Sequence, residues 1–392
     1  MVALITLAIS GLGLILSLCI VLPAPIAALL PFAVVAPEIS PWLVVVNLLG
    51  LGLSGYRLAE GAVGVPGLVV GAISLGLSLT PVVQLPAAQQ AAGTAMKQAF
   101  GPEVLSAAPP FSQNLRPKSL VWSVVWQGIA LEPVRVTTGI QFAAPLGGPL
   151  TLDIHQPPQP GLYPAIVLIY GGAWQRGNSQ DNVRLARYLA GQGYVVWSIS
   201  YRHAPKYQFP AQIQDVQAAL AFIQTHGAAY ESDSTRMALL GKSAGAHLAM
   251  LAAYQPGAPP IRAVVNYYGP VNLLNGYWDL PVPDPLDVRS VLRTFLGGAP
   301  ERVGDRYRVA SPSSYIRPGL PPTLLIYGDK DRIVLSKFGQ KLAANLEADG
   351  NGAALIKIPW ADHAFDAVFR GLSNQLALYY TERFLAHVLH DS

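Results

Sequence analysis

Three side chains of different chemistry stand where a reacting group would need them. Gly241-Lys242-Ser243-Ala244-Gly245 has the G-x-S-x-G spacing, with the strand-like run Arg236 to Leu240 before it and a helical pattern after it. A strand, a sharp turn and a helix in that order lift a serine hydroxyl clear of a sheet and set it at a helix N-terminus, where developing negative charge is favoured. The hydroxyl is a weak nucleophile until a base takes its proton and a third group orients the base. Gly328-Asp329-Lys330-Asp331 follows the apolar run Thr323 to Tyr327, and Ala361-Asp362-His363 follows Ala354 to Ile358, so a carboxylate and an imidazole fall on two strand ends. Ser243 reads as the nucleophile, His363 as its base and Asp331 as the acid that orients the base. Asp329, just after its strand, reads as a turn residue, and Asp362 and Asp366 beside His363 read as solvated or capping groups.

Acyl transfer also needs donors for the carbonyl oxygen, and losing one typically costs about 3 kcal/mol of barrier. The buried run Ala165 to Tyr170 ends in Tyr170-Gly171-Gly172-Ala173-Trp174, whose small residues expose backbone N–H groups. Gly172, Ala173 and Ala244 are the candidate oxyanion donors, Gly171 permits the turn, and Trp174 is a candidate wall of the acyl pocket. His247, four residues after Ser243 on the same helix, reads as packed, and His155 and His203 near strand ends read as structural. The single cysteine, Cys19, excludes an intramolecular disulfide and a cysteine-built zinc site. No paired-histidine spacing supports a metal, and Gly241-Lys242-Ser243 lacks the earlier glycine of a phosphate-binding loop. No cofactor is called for.

The elements that must hold these residues alternate. Val134 to Phe142 and Leu150 to His155 have the period of strands, and Ala165 to Tyr170, Tyr194 to Ser200, Arg236 to Leu240, Ala263 to Tyr267, Thr323 to Tyr327 and Ala354 to Ile358 fit strands of a parallel sheet buried on both faces. Helical patterns cover Asn182 to Gly191, Ala211 to His226, Ser243 to Tyr254, Leu335 to Ala348 and Asn374 to Leu389. The alternation predicts one doubly wound α/β domain over residues 131–392. A Pro-rich insertion, Asn275 to Leu296, reads either as a small lid or, through Tyr277, Trp278 and Leu280, as ordinary core.

The chain before that domain differs in kind. Of 392 residues 52% are hydrophobic and 12% charged, against about 25% charged in soluble domains. Residues 1–96 carry only Glu38, Arg57 and Glu60, so the deficit is concentrated there. Three uncharged runs, approximately 1–22, 39–56 and 64–85, are long enough at about 1.5 Å per residue to cross some 30 Å of hydrocarbon. Trp42 and Tyr56 near the ends of the second suit the membrane interface. Residues 1–85 are therefore expected to be a three-helix transmembrane anchor, with Pro23 to Pro41 a re-entrant or interfacial turn and 86–130 a juxtamembrane connector holding a short helix, Gln89 to Phe100. A cleaved signal peptide fits less well, because no basic segment precedes the first run and two more follow. Arg57 and the group Lys97, Arg116 and Lys118 argue for opposite orientations. A net charge of +4 without a Lys/Arg cluster is a poor match for nucleic acid.

With these motifs in the chain order Ser243, Asp331, His363, residues 132 to 390 resemble the α/β-hydrolase superfamily. The likeness is to its esterase/lipase branch, which holds hormone-sensitive-lipase-like and bacterial feruloyl-esterase-like carboxylesterases. Tyr201-Arg202-His203-Ala204-Pro205, Phe209-Pro210, Asp215, Tyr267-Tyr268-Gly269-Pro270 and Ser311-Pro312-Ser313 extend the resemblance. Tyr170 stands where the branch usually has His, Ala173 replaces a frequent third glycine, and Ala246 replaces a glycine often found after the elbow. The resemblance implies a serine carboxylesterase on an α/β-hydrolase fold acting on a small-molecule ester. It says nothing about residues 1–96, whose hydropathy is what implies attachment to a lipid bilayer by the N-terminal helices and, with it, a lipophilic ester. Acyl transfer, or amide or formamide cleavage, uses the same three residues and stays open at this point. A noncatalytic hydrolase-like binding domain is the alternative from another class. Oligomeric state is not legible.

Overall fold

In a computed structural model, residues 2–59, 65–106 and 115–390 are described. Met1 and Gly64, at the starts of the first and third predicted spans, lie outside them, as do residues 107–114 of the expected connector and the last two residues of the predicted α/β domain.

The N-terminal part is helical: α1 (Val2–Val21), α2 (Leu30–Glu38), α3 (Ser40–Ala59) and α4 (Val65–Phe100). Its amphipathicity is inside out. Leu12, Ile15, Leu49, Ile73 and Val83 face outward, whereas Ser10 and Ser17 of α1, Ser40, Asn47 and Ser54 of α3, and Ser74 and Ser78 of α4 are buried between the helices. The seven-residue spacing of the α3 set keeps it on one stripe, since two helical turns take about seven residues. The Asn47 amide donates to Ser17 Oγ at 3.0 Å and to Ser78 Oγ at 3.1 Å, joining all three long helices. α3 and α4 are long and apolar enough to cross a membrane, and α1 equals α3 in length.

The expected break near residue 85 is absent. α4 continues through Pro86 to Phe100 as one 36-residue helix. The sequence change there marks a change of neighbour: Leu85, Ala88, Ala92 and Met96 enter the same core as the sheet. Ala and Gln are good helix formers, so loss of hydropathy does not end the helix. The connector then forms the short helix α5 (Trp122–Gln127).

Beyond it lies an eight-stranded sheet: β1 (Arg135–Ala143), β2 (Leu150–Gln156), β3 (Tyr163–Ile169), β4 (Val195–Ile199), β5 (Ser232–Lys242), β6 (Ala263–Tyr267), β7 (Thr323–Gly328) and β8 (Ala353–Ile358), in the order β1-β2-β4-β3-β5-β6-β7-β8. β1 and β2 are antiparallel, and β2 runs antiparallel to β4; every pairing from β4 to β8 is parallel. The strands β3, β4, β6 and β7 and the second half of β5 are buried and mostly apolar because helices cover both faces, as parallel sheets require. Those helices are α6 (Val183–Gly191), α7 (Ala211–His226) and α8 (Ala244–Tyr254), together with the last two, α12 (Ser336–Ala348) and α13 (Leu372–His390). Between α8 and α12, the helices α9 (Leu273–Trp278), α10 (Val288–Leu296) and α11 (Pro300–Val309) pack mainly on one another. The insertion is thus the pair α9 and α10; Tyr277 is core as expected, but Trp278 is 53% exposed.

Candidate active site

β5 hands directly to α8 at Ser243, whose backbone sits at φ 52°, ψ −122°. A side chain at positive φ is strained, and the neighbours enforce it. Ser243 N–H is held by Tyr267 O at 2.9 Å. The flanking glycines are required by space: a Cβ on Gly241 would lie 2.3 Å from Gly245 O, and one on Gly245 would lie 2.2 Å from Ile169 O. The turn at Ser243 is therefore packed against the end of β3 with no room for any side chain on either glycine.

The ends of β5, β7 and β8 bring three side chains together. His363 Nε2 lies 2.9 Å from Ser243 Oγ, and His363 Nδ1 lies 2.7 Å from Asp331 Oδ2. The other oxygen of Asp331 accepts the N–H groups of Ile333 at 2.7 Å and Val334 at 2.8 Å. An acceptor-only carboxylate facing Nδ1 puts the ring proton there and leaves Nε2 as an acceptor toward the serine. Burial disfavours the imidazolium. Asp331, by charge and hydrogen bond, and then Asp362 and Asp366 outweigh it, so the His363 pKa lies above its ordinary value.

Asp362 and Asp366 are not the solvated groups the sequence suggests. Asp362 is buried, its Oδ1 accepting His363 N–H at 2.7 Å and its Oδ2 without a hydrogen-bond partner. Burial, then the Asp331 charge, push its pKa up to about 6. Asp366 is buried between the Lys242 ammonium and the Tyr268 hydroxyl, and the Tyr268 ring packs edge-on to the imidazole at 4.7 Å. Loops after the strand ends fold back under the base, so carboxylates adjacent to it in sequence turn inward.

After β3 the chain makes a tight turn, with φ of 122°, 56° and 59° at Gly172, Ala173 and Trp174. Gly171 lies against the turn at Ser243, where a Cβ would come 2.9 Å from Lys242 O and 3.1 Å from Ser243 Cβ. Ala244 opens α8, so its N–H has no acceptor within that helix. Trp174 is buried, stacked on Phe295 at 4.1 Å, and its indole N–H donates to His247 Nδ1 at 3.2 Å. His247 is fully buried and gives its own Nε2 proton to Ala310 O at 2.6 Å; burial depresses its pKa to about 4, so it stays neutral. His203 bonds to the Tyr170 hydroxyl at 2.9 Å, and His155 is buried in β2.

Ser243, Ala173 and Trp174 border a cleft with about 680 Å³ of atom-free space, part of it open to solvent. Its far wall is apolar: Val288, Val291 and Leu292 from α10, and Ile333, Val334 and Phe338 after Asp331. An activated hydroxyl beside an apolar cleft can attack an acyl carbon whose hydrocarbon side lies in the cleft. Sequence reasoning misses Lys330 here. Its ammonium donates to the carbonyls of Ile20 and, at 3.2 Å, Cys19, at the end of α1. The only sequence signal is its place beside Asp331.

Parts of this chain are similar to known proteins. The BD-FAE family model matches residues 152–346. The probable carboxylic ester hydrolase LipM of Mycobacterium tuberculosis (strain ATCC 25618 / H37Rv) is 30% identical over 60% of this chain and 58% of its own. Esterase LipQ of the same organism is 32% identical over 55% of this chain and 54% of its own. The chain thus spans little more than half the length of these relatives. Among solved structures, a bacterial heroin esterase superposes with a TM-score of 0.57 at 23% identity, over 66% of this chain and 85% of that one. At that identity the match bears on fold alone. Sheet order, the strand–turn–helix at Ser243 and these matches together give the α/β domain of this chain an α/β-hydrolase fold, similar over that region to esterases.

Proposed function

We propose that this protein is a serine hydrolase that cleaves carboxylic esters and is anchored in a membrane by its N-terminal helices. The observation that carries the chemistry is the continuous chain of short contacts from Ser243 Oγ through the His363 ring to Asp331, at the mouth of an apolar cleft. Ser243 attacks the acyl carbon while His363 Nε2 takes its proton. Asp331 holds the resulting imidazolium, and the N–H groups of Gly172, Ala173 and Ala244 stabilise the oxyanion. Collapse returns the proton to the leaving alcohol, and a water activated by His363 then releases the acid. The esterase names of LipM and LipQ support the reaction class. The apolar cleft, with Trp174 on one side, favours a lipophilic acyl group.

The anchor reading rests on the inverted amphipathicity of α1, α3 and α4: apolar side chains outward and a Ser/Asn stripe inward suit hydrocarbon as solvent. Retention in the membrane pellet after an alkaline carbonate wash is expected; release into the supernatant would refute the anchor. For the chemistry, full-length protein in detergent is treated with a fluorophosphonate and mapped by peptide mass spectrometry. Stoichiometric labelling of Ser243, absent from folded Ser243→Ala, is the expected result. A folded wild type that fails to label would discard the serine mechanism in favour of a binding domain.

A further inference from the structure

Two contacts join the N-terminal helices to the loops that carry the proposed acid and base, and they are reciprocal. Lys330, one residue before Asp331, places its ammonium on the last carbonyls of α1, where a helix concentrates partial negative charge. Glu38, the last residue of α2, is buried and accepts the N–H and hydroxyl protons of Ser373 in the first turn of α13, the helix that follows the His363 loop. Each part of the chain thus caps a helix of the other. The backbone N–H of Lys330 also bonds to Ala361 O at 3.0 Å, tying the Asp331 loop to the His363 loop. Its charge faces Asp362, the buried carboxylate whose Oδ1 holds His363 N–H and whose Oδ2 has no hydrogen bond. A buried carboxylate so poorly satisfied needs a nearby cation to stay ionised.

We propose that Lys330 is a positioning residue: clamped on the end of α1, it holds the acid loop against the base loop and keeps Asp362 ionised behind His363. The N-terminal helices are then a working part of the active site. This inference rests on the reading of Ser243, His363 and Asp331 as the catalytic groups.

The sign of the electrostatic effect follows from the groups that face the cluster. Around His363 these are Asp331, Asp362, Tyr268 and Asp366, the last paired with Lys242; around Lys330 they are Asp362, Cys19, Arg332 and Glu38. Burial lowers the Lys330 pKa to about 8, with Asp362 the chief opposing influence, and Lys330 in turn draws Asp362 down from where burial sends it. Without the ammonium, Asp362 is driven further toward its protonated form. His363 loses a carboxylate charge at its back, and its pKa falls.

The test uses full-length protein in detergent and the second-order rate of fluorophosphonate labelling of Ser243 across the pH range. Lys330→Met is expected to slow labelling about tenfold at its plateau and to move the acid limb down by about half a pH unit, while Lys330→Arg keeps the wild-type midpoint. Lys330→Gln, which retains a donor toward α1 but no charge, is expected to share the downward shift, and it supplies the reading if the Met variant does not fold. Wild-type rate and midpoint in folded Met or Gln variants overturn the inference while leaving the esterase reading intact. An unlabelled wild type overturns the esterase reading itself.

Discussion

Replacing Asp331 by Asn separates the electrostatic role of this carboxylate from its place in the fold. The introduced amide can face two ways. With its oxygen toward the N–H groups of Ile333 and Val334, now held at 2.7 and 2.8 Å, its NH2 points at His363 Nδ1. The ring must then accept at Nδ1 and carry its proton on Nε2, facing Ser243 Oγ, where it cannot act as a base. The flipped amide would restore the useful tautomer but set two backbone donors against an NH2 group. At about 1–3 kcal/mol for each buried bond lost, that orientation is disfavoured by about 2–6 kcal/mol. The wrong tautomer therefore dominates, and such reversals in Ser-His-Asp sites lower kcat by about 10⁴-fold, or about 5.4 kcal/mol of barrier. Hydrolysis of a short p-nitrophenyl ester by the full-length variant measures the effect, with circular dichroism and thermal unfolding checking the fold. A folded Asp331→Asn enzyme within tenfold of wild type would refute the assignment of Asp331 as the orienting acid.

Three further outcomes follow from the same geometry. Because His363 must be neutral to accept the serine proton and its pKa is raised by Asp331, Asp362 and Asp366, wild-type activity should fall with decreasing pH through a midpoint above about 6.5; a midpoint at or below that value would contradict the carboxylate environment. His247 is neutral in the fold down to about pH 4, whereas unfolded imidazole titrates near 6.5. The unfolded state binds the extra proton in that window, so stability is lost as pH falls through it, by roughly 3 kcal/mol; urea unfolding of His247→Gln should show a flatter pH dependence, and an unchanged slope would count against it. Gly245→Ala would drive a Cβ to 2.2 Å from Ile169 O and 2.3 Å from Tyr170 O, both backbone atoms that cannot swing away. It should cost about 3 kcal/mol in urea unfolding, and a loss under about 1 kcal/mol would show that the turn relaxes.

Much of this was legible because the sheet advertises itself. Strands such as Ala263–Tyr267 are short, nearly continuous apolar runs, and the helical patterns between them have a period of 3.6. The serine, the imidazole and Asp331 sit at strand ends, where local pattern places them. What local pattern does not carry is the third dimension. Asp366 looks like a surface acid because its partners, Lys242 and Tyr268, lie about a hundred residues earlier, and Asp362 does because its burial depends on the loop folding under His363. Lys330 and Glu38 find partners some three hundred residues away in the chain. The stripe Ser40, Asn47, Ser54 is visible as a seven-residue spacing, but hydropathy averages it away, since three small polar groups barely change an apolar window. The separate helix expected over Gln89 to Phe100 fails for the opposite reason: hydropathy falls near residue 85 while one helix runs on to Phe100.

That uninterrupted helix has a mechanical consequence. At about 1.5 Å per residue, α4 is a strut of about 54 Å, bedded at one end among α1 and α3 and at the other against β8. A hydrolase on a flexible stalk sweeps a hemisphere and can reach esters dissolved well away from its attachment. If the N-terminal helices anchor the chain in a membrane as proposed, a hydrolase mounted on such a strut would keep a constant height and heading, its freedom reduced to gliding and spinning in the plane. Its turnover would then scale with substrate per unit area of membrane, and dilution of the bulk phase at constant surface density would leave it unchanged.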